Sequence, residues 1–155
     1  MFSVVSFAYL RALLCGKPDA AAVIIDRRQR PFVQGKVLFY QTRSGVIVCA
    51  NITGLQEGVF AFHIHEGGDC GENFTNTGGH YDPKNRPHPS HAGDLPPLFS
   101  TGRQAFTAFL TNRFRINEIL GKTVIIHAGP DDFTTQPAGN AGEKIACGVI
   151  STVRR

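Results

Sequence analysis

Short apolar runs that are separated by turn residues constrain the fold of this chain most strongly. The runs are rich in Val, Ile and Phe, and in several of them apolar and polar residues alternate, as in a half-buried β-strand. Seventeen Gly and nine Pro, against one Met and no Trp, favour turns over long helices. We predict strands over residues 22–25, 33–42, 46–52, 59–65, 104–111, 123–128 and 145–153, with one helical turn at 117–120. The pattern therefore predicts one all-β domain, a sandwich or a barrel.

The segment between residues 66 and 100 interrupts this pattern. It is rich in Gly, Pro, Asn and His, and no regular run of apolar residues crosses it. A structureless connection of this length between strands is uncommon and is usually functional. We therefore expect this segment to carry part of a functional site.

The charge and the size of the chain exclude some functions. The 155 residues correspond to a single domain, and 16 Lys and Arg against 12 Asp and Glu leave a net charge of +4. No run of five or more like charges occurs, so no nucleic-acid partner is predicted. A small anionic substrate is compatible with this mild positive charge.

Residues 1–19 precede the domain, which we assign to residues 20–155. Apolar positions in this amino-terminal segment fit one side of an amphipathic helix, so we predict a short helix that packs on the domain. The segment is too short to span a bilayer, and Arg11 interrupts it, so no membrane span is predicted. No positive charge precedes the apolar stretch, which makes an atypical export signal the less favoured alternative. The compartment stays open, with the cytoplasm slightly favoured over a periplasmic or extracellular location.

Four cysteines, at positions 15, 49, 70 and 147, form no C-x-x-C pair, which excludes a cysteine zinc finger. Cys49 lies within an apolar run and is interpreted as a buried small hydrophobic residue. Cys70 lies in a Gly-rich loop and Cys147 lies in the last predicted strand, which makes them plausible disulfide partners. A bond between them would stabilise the fold by about 4 kcal/mol in the chain-entropy model.

All six histidines lie at strand ends or in the irregular segment. His63 and His65 form an H-x-H pair, whose spacing places both rings on one face of a strand. The other positions are His80, His88, His91 and, at the end of an apolar run, His127, with Asp94 three residues after His91. Imidazole suits both copper and zinc, and a carboxylate next to histidines suits zinc. The sequence therefore predicts a metal centre, with more than one ion.

Four segments resemble the metal-binding loops and the last strand of the copper–zinc superoxide dismutase family: GVFAFHIHEGGDC, GGHYDPKNRPHPSHAGDL, TVIIHAGPDD and AGNAGEKIACGVI. The run VQGKVLFYQ resembles the second strand of that family. The resemblance, to the bacterial type with an amino-terminal extension, runs from about residue 20 to residue 153. It implies a Greek-key β-sandwich or flattened barrel of about eight antiparallel strands with long metal-binding loops.

The resemblance also implies two metal sites that share one ligand. The positions that match the copper ligands are His63, His65, His80 and His127. The positions that match the zinc ligands are His80, His88, His91 and Asp94. Asp131 matches a carboxylate that hydrogen-bonds one copper histidine and one zinc histidine, and Cys70 with Cys147 matches the family's disulfide.

The activity that the resemblance implies is the disproportionation of superoxide to oxygen and hydrogen peroxide, with copper alternating between Cu(II) and Cu(I) and zinc in a structural role. His80 would accept a proton and pass it to the product, as a general acid and base. Lys144 occupies the position where most family members have an Arg that contacts the anion. Lysine keeps the positive charge but lacks the planar fork of arginine.

Two alternative functions stand beside that of a superoxide dismutase. The first is a non-catalytic, dismutase-like protein that binds copper or zinc, and the second is a β-sandwich in which the histidines only pack. A non-catalytic relative typically lacks a copper ligand or the active-site cation, whereas every ligand position is filled here and the cation is only changed. The implied partners are superoxide, a second copy of the chain and a copper-delivery protein.

Overall fold

The computed structural model describes residues 16–26 and 32–153, and these residues form an almost purely β structure. The strands are, in chain order, β1 (Ala20–Ile25), β2 (Gln34–Gln41), β3 (Val46–Thr53), β4 (Gly58–Phe60), β5 (Phe62–His65), β6 (Leu98–Thr101), β7 (Gln104–Thr111), β8 (Thr123–His127) and β9 (Lys144–Thr152). The helical parts of the described chain are a 3₁₀ segment at Glu72–Thr77 and α1 (Ile116–Ile119). The all-β prediction is confirmed.

The strands form one antiparallel sheet in the order β4-β6-β7-β3-β2-β1-β9-β8-β5. Hairpins join β1, β2 and β3, and β9 returns from the far end of the chain to pair with β1, which is the crossover of a Greek key. The two outermost strands, β4 and β5, follow each other directly in the chain. The sheet is therefore a nearly closed barrel.

The prediction of one strand over residues 59–65 is wrong, because this run is divided at Ala61. Residues before Ala61 pair with β6, whereas residues after it pair with β8 at the opposite end of the sheet order. Ala61 itself donates its N–H to the carbonyl of Gly129 and accepts the N–H of His127. A continuous apolar run therefore serves two different pairings, and the chain changes partners in the middle of it.

The core lies inside the barrel and follows the period of two that strands impose. In β2 and β3 the inward positions are fully buried, among them Val37, Phe39 and Val48, while their neighbours other than Ile47 are at least partly exposed. In β5 and β8 every residue is buried, which means that both faces of these two strands are covered. Phe62 and Ile64 belong to the barrel core, so the histidines between and after them point to the opposite, outward face.

The irregular segment covers the outward face of β5 and β8. Its first part is fixed by a disulfide between Cys70 and Cys147, which connects the loop to β9. Phe74 and Ile125 pack with these cysteines in a small apolar cluster that is separate from the barrel core. The disulfide prediction is thus confirmed, and the loop is held against the sheet by covalent and apolar contacts together.

Other predictions agree with the structure less uniformly. The bounds of the other predicted strands agree with the structure within one or two residues. Strand β6 was not predicted, and most of it lies in the segment 66–100 that was predicted to be irregular. Cys49 is partly exposed on the outward face of β3 and is a free thiol, so the prediction of a buried position is corrected. The helix predicted within residues 1–19 falls on residues 1–15, which lie outside the described residues. In the described part of the chain, no helix is both long and apolar enough to cross a membrane.

Candidate metal centre

Strand β5 sets the position of the first two histidines. It pairs with β8 on one side, with Ile64 opposite Val124, and the alternation of side chains places His63 and His65 on the covered face. On its other side, the irregular segment runs beside it. Ile64 accepts the N–H of Tyr81 and donates its own N–H to Gly93. A Cβ atom at residue 93 would lie 2.3 Å from the carbonyl oxygen of Ile64, so this close approach requires glycine.

The same pairing brings the loop residues to the strand. Isolated bridges join His65 to His80 and His63 to Asp94. His127 ends the neighbouring strand β8 and completes the group from the other side. Two strands and one loop therefore place histidines from three parts of the sequence in one buried region.

The first cluster contains His63, His65, His80 and His127, all buried, with one ring nitrogen of each within 4.8 Å of the others. The second cluster contains His80, His88, His91 and Asp94, which are also buried and meet the same distance limit. His80 is common to both. The structure thus brings together all seven residues that the sequence singles out as metal ligands.

The ring nitrogens that face away from the first cluster are engaged by oxygen acceptors. Nδ1 of His65 donates to the carbonyl of Gly78 at 2.8 Å, and Nδ1 of His127 donates to the carbonyl of Gly142 at 3.1 Å. Nε2 of His63 lies 2.8 Å from a carboxylate oxygen of Asp131. Because these oxygens accept hydrogen bonds, each ring carries its proton there and presents a lone pair to the cluster.

The lone pairs that face the cluster have no proton donor. Nε2 of His65 lies 3.3 Å from Nε2 of His127, so two lone pairs are directed at each other. Among the described residues, Nδ1 of His63 and Nε2 of His80 are buried and have no hydrogen-bond partner. Buried acceptors without a donor are costly, and a cation between them removes this cost. The first cluster therefore fits a metal ion.

Asp94 connects the three histidines of the second cluster. Its carboxylate lies 2.7 Å from Nδ1 of His80 and 3.2 Å from Nδ1 of both His88 and His91. Burial alone would raise the pKa of Asp94, but the hydrogen bond and charge of His80, with the other two rings, lower the pKa to about 2. Asp94 is therefore an anion at neutral pH and offers an oxygen ligand among three Nδ1 atoms, which suits zinc.

Burial also determines the protonation of the first cluster. It lowers the pKa of His65 to about 2 and that of His127 to about 4. The pKa of His63 falls to about 3 through burial and through the neighbouring rings of His80 and His127, against the opposing effect of Asp131. These three rings are therefore neutral at pH 7, which is the form that binds metals.

Asp131 joins the two clusters from outside. One carboxylate oxygen lies 2.8 Å from Nε2 of His63, and the other lies 2.8 Å from Nε2 of His88. The backbone at Gly139 passes so close that a Cβ atom there would lie 2.0 Å from Asp131 Oδ1, and its φ of 68° also favours glycine. The carboxylate predicted to contact one histidine of each set does so in the structure.

Lys144 lies at the rim of the first cluster. Its ammonium group donates to Oγ1 of Thr77 at 2.8 Å and to the carbonyl of Gly78 at 2.9 Å. Gly78 therefore accepts hydrogen bonds from both Lys144 and His65. The charge of Lys144 is close enough to lower the pKa of His65 and His127, although burial is the larger cause in both.

Several residues that build the site carry no sequence signal. The carbonyl groups of Gly78 and Gly142 orient two rings, yet every residue carries a carbonyl, so no side-chain pattern marks them. The contacts of Arg113 and Gln136 with the loop are likewise made to backbone atoms. Contacts that involve a backbone group on one side leave no motif in the sequence.

Comparison with known proteins identifies the family to which the chain belongs. The family model for copper/zinc superoxide dismutase (SODC) matches residues 33–150, which is most of the chain. The chain belongs to the copper/zinc superoxide dismutase family. It is therefore a superoxide dismutase with copper and zinc as cofactors, and its two clusters are groups that could hold metal ions.

Curated relatives from bacteria agree with the family assignment. The superoxide dismutase [Cu-Zn] of Legionella pneumophila is 38% identical over 140 residues, which cover 85% of this chain and 86% of that protein. The superoxide dismutase [Cu-Zn] of Deinococcus radiodurans is 32% identical over 161 residues, which cover 89% of this chain and 87% of that protein. These relatives and both complete clusters give no support to the non-catalytic alternative.

A solved structure shows the same fold. The crystal structure of the clock protein EA4 superposes with a TM-score of 0.78 at 29% sequence identity, covering 89% of this chain and 97% of that one. The fold described above is thus shared with that solved protein.

Proposed function

We propose that this superoxide dismutase holds copper in the first cluster and zinc in the second, with His80 serving both. The observation that supports this most strongly is the orientation of the His80 ring. Its Nδ1 lies 2.7 Å from Asp94, and its Nε2 is buried with no hydrogen-bond partner among the described residues. One ring therefore presents its two nitrogens to two different ligand sets.

The chemistry of the donor sets supports the order of the two metals. The first set consists of four imidazoles, which suit copper, and the second adds a carboxylate to three imidazoles, which suits zinc. When bound, copper supplies one-electron oxidation and reduction, and zinc supplies a redox-inert positive charge. The reaction converts two superoxide anions and two protons to oxygen and hydrogen peroxide.

The protein residues orient the ligands and move the proton. Carbonyls of Gly78 and Gly142 fix two rings, and Asp131 fixes one ring of each cluster, so the ligand geometry is largely formed by the fold. Nε2 of His80 is the atom at which we expect a proton to be held and then given to the product. An imidazole is suited to this because the same ring nitrogen can accept a proton and donate it again.

Lys144 is the proposed contact for the anion. Its ammonium group lies beside the first cluster and is held in place by Thr77 and Gly78. A fixed positive charge at the rim of a small site raises the local concentration of an anion and its rate of arrival. We therefore assign catalytic roles to His80 and Lys144.

The test is a dismutase assay combined with metal analysis. We expect the purified chain, loaded with both metals, to bind one copper and one zinc per molecule and to disproportionate superoxide. His127→Ala should lose copper and activity but keep zinc, because His127 belongs to the first cluster alone. A fully loaded wild-type protein without activity would contradict the proposal, and loss of both metals in the variant would contradict the division into two sets.

A homodimer and a copper-delivery protein are further proposals. Phe99 and Phe106 support the dimer, because they are large, apolar and respectively 67% and 65% exposed on the neighbouring strands β6 and β7. Sedimentation equilibrium tests the homodimer, and a monomer mass at micromolar concentration would contradict it.

The burial of all four proposed copper ligands supports a copper-delivery protein, which would load the buried site with copper. Rapid and complete loading by free copper would contradict that second proposal.

A further inference from the structure

The proposed zinc ligands depend on a segment without regular secondary structure. His88, His91 and Asp94 lie within seven residues of one another in the irregular loop. Of these three, only Asp94 makes a β-bridge to a strand. Two side chains from other parts of the chain make hydrogen bonds to the backbone of this segment.

Arg113 is the first of them. It follows β7, and its Nη1 donates to the carbonyl oxygens of Asp94 at 3.0 Å, of His91 at 3.1 Å and of Pro89 at 3.2 Å. Three carbonyls of one loop thus converge on one nitrogen. Two of these carbonyls belong to proposed zinc ligands, although Arg113 touches none of the ligand side chains in these bonds. A charged donor makes such hydrogen bonds stronger than a neutral one would.

Gln136 is the second. Its Oε1 accepts the backbone N–H of His88 at 2.9 Å, and its Nε2 donates to the backbone carbonyl of His88 at 2.7 Å. The amide therefore pairs with both backbone groups of one residue, as a neighbouring strand would. Asp131, from the same loop, holds the ring of His88 through Nε2. Backbone and side chain of His88 are thus fixed by one segment.

We propose that Arg113 and Gln136 are positioning residues for the zinc ligands. They hold the backbone of the ligand loop in the conformation that brings three Nδ1 atoms and one carboxylate together. The proposal rests on the assignment of zinc to the second cluster. Partners outside the ligand set typically change metal affinity about 10- to 100-fold when removed. Because Arg113 and Gln136 are exposed to solvent, we expect a change near the lower end, about tenfold.

The charge of Arg113 distinguishes positioning from a simple electrostatic effect. A guanidinium beside a zinc ion repels it, so removal of the charge alone would slow zinc release. Loss of positioning has the opposite sign and would accelerate release. Arg113→Lys keeps the charge, but its Nζ lies one bond closer to the backbone than Nη1 and falls short of the three carbonyls, whereas Arg113→Gln loses both the charge and the reach. If Arg113 positions the loop, both variants release zinc faster.

The experiment uses the protein loaded with copper and zinc and measures transfer of zinc to a chromophoric chelator. We expect Arg113→Lys, Arg113→Gln and Gln136→Glu each to release zinc about tenfold faster than the wild type. Gln136→Glu replaces the amide donor with an acceptor that faces the carbonyl of His88. Arg103→Gln and Gln104→Glu, at the distant β6–β7 turn, are the matched controls and should release zinc at the wild-type rate.

A second readout separates positioning from general loosening of the fold. With cobalt(II) in place of zinc and copper retained, the ligand-field bands of cobalt should shift in the three variants, while the copper band stays at its wild-type position. Wild-type release rates with unchanged cobalt bands would overturn the inference, as would slower release in Arg113→Gln alone. A wild-type protein that retains no zinc would instead overturn the assignment of the second cluster.

Discussion

At the scale of single residues, Asp131 connects the two clusters through hydrogen bonds to His63 and His88. Replacement by Asn leaves one acceptor and turns the other oxygen into a donor, so one of the two rings loses its partner. We expect Asp131→Asn to lower metal affinity about 10- to 100-fold. Competition with a chelator measures the metal affinity of the variant and of the wild type. Glu57→Gln, which removes an exposed carboxylate, serves as control, and equal affinity in both variants would contradict the role of Asp131.

Lys144 allows a second test at this scale. We expect Lys144→Gln to reduce kcat/KM about tenfold at low salt and to weaken the dependence of the rate on salt, because a charge beside the site attracts the anion. Lys144→Arg keeps the charge and adds the planar fork, so it should be faster than the wild type at low salt. Rate measurements across ionic strength decide this. Equal rates in all three forms would count against a contact between Lys144 and the anion.

The residue scale is where the sequence was most informative. The spacing of His63 and His65 predicts two rings on one face, because the side chains of a strand alternate. It does not predict that His63 has its Nδ1 without a hydrogen-bond partner, whereas His65 bonds Gly78 through Nδ1 and turns Nε2 toward His127. That choice follows from the positions of Asp131 and of the Gly78 carbonyl, which depend on how distant loops fold. The residues that form the two clusters were therefore predictable, and the orientation of their rings was not.

At the scale of elements, the disulfide holds the loop that carries Gly78 against β9. We expect the double variant Cys70→Ser, Cys147→Ser to lose about 2–5 kcal/mol of the free energy of unfolding. Because this loop supplies acceptors for His65 and Lys144, the variant should also bind copper more weakly. Denaturant unfolding and copper competition measure the two effects.

Cys49→Ser is the matched control for this prediction. Cys49 is a free, partly exposed thiol on the outward face of β3, and its replacement should change stability by less than about 1 kcal/mol. An equal loss of stability in the control and in the double variant would show that the bond itself contributes little.

The elements also show where sequence patterns stop being sufficient. The run over residues 59–65 has the composition of one strand, yet Ala61 divides it, because closure of the barrel requires β4 and β5 to pair at opposite ends of the sheet. Local propensity contains no information on that closure. By contrast, β7 follows the predicted bounds, since a hairpin and a regular alternation define it locally.

At the scale of the whole molecule, the buried histidines couple metal-free stability to pH. His63, His65 and His127 have folded pKa values of about 3, 2 and 4, against an unfolded value of about 6.5. Below pH about 6.5 the unfolded state therefore binds more protons than the folded state. The free energy of unfolding should therefore be highest above that pH and should fall as the pH decreases toward 4. The slope of this free energy against pH should approach the value for a difference of about three bound protons.

Denaturant unfolding of the metal-free protein between pH 7.5 and pH 4.5 measures this slope. His127→Gln removes one of the three groups, so its slope should be smaller by about one proton in the same interval. A stability that does not change with pH, or that rises on acidification, would contradict the neutral state of the buried rings.

The proposed metal centre depends most on one imidazole, that of His80, serving two metal ions. Anomalous diffraction from crystals loaded with copper and zinc, recorded at both absorption edges, tests it most directly. We predict a copper peak near Nε2 of His80 and a zinc peak near Nδ1, each at a bonding distance of about 2.0–2.1 Å. A ring that bonds to only one of the two ions at full loading, or the two metals in the reverse order, would contradict it.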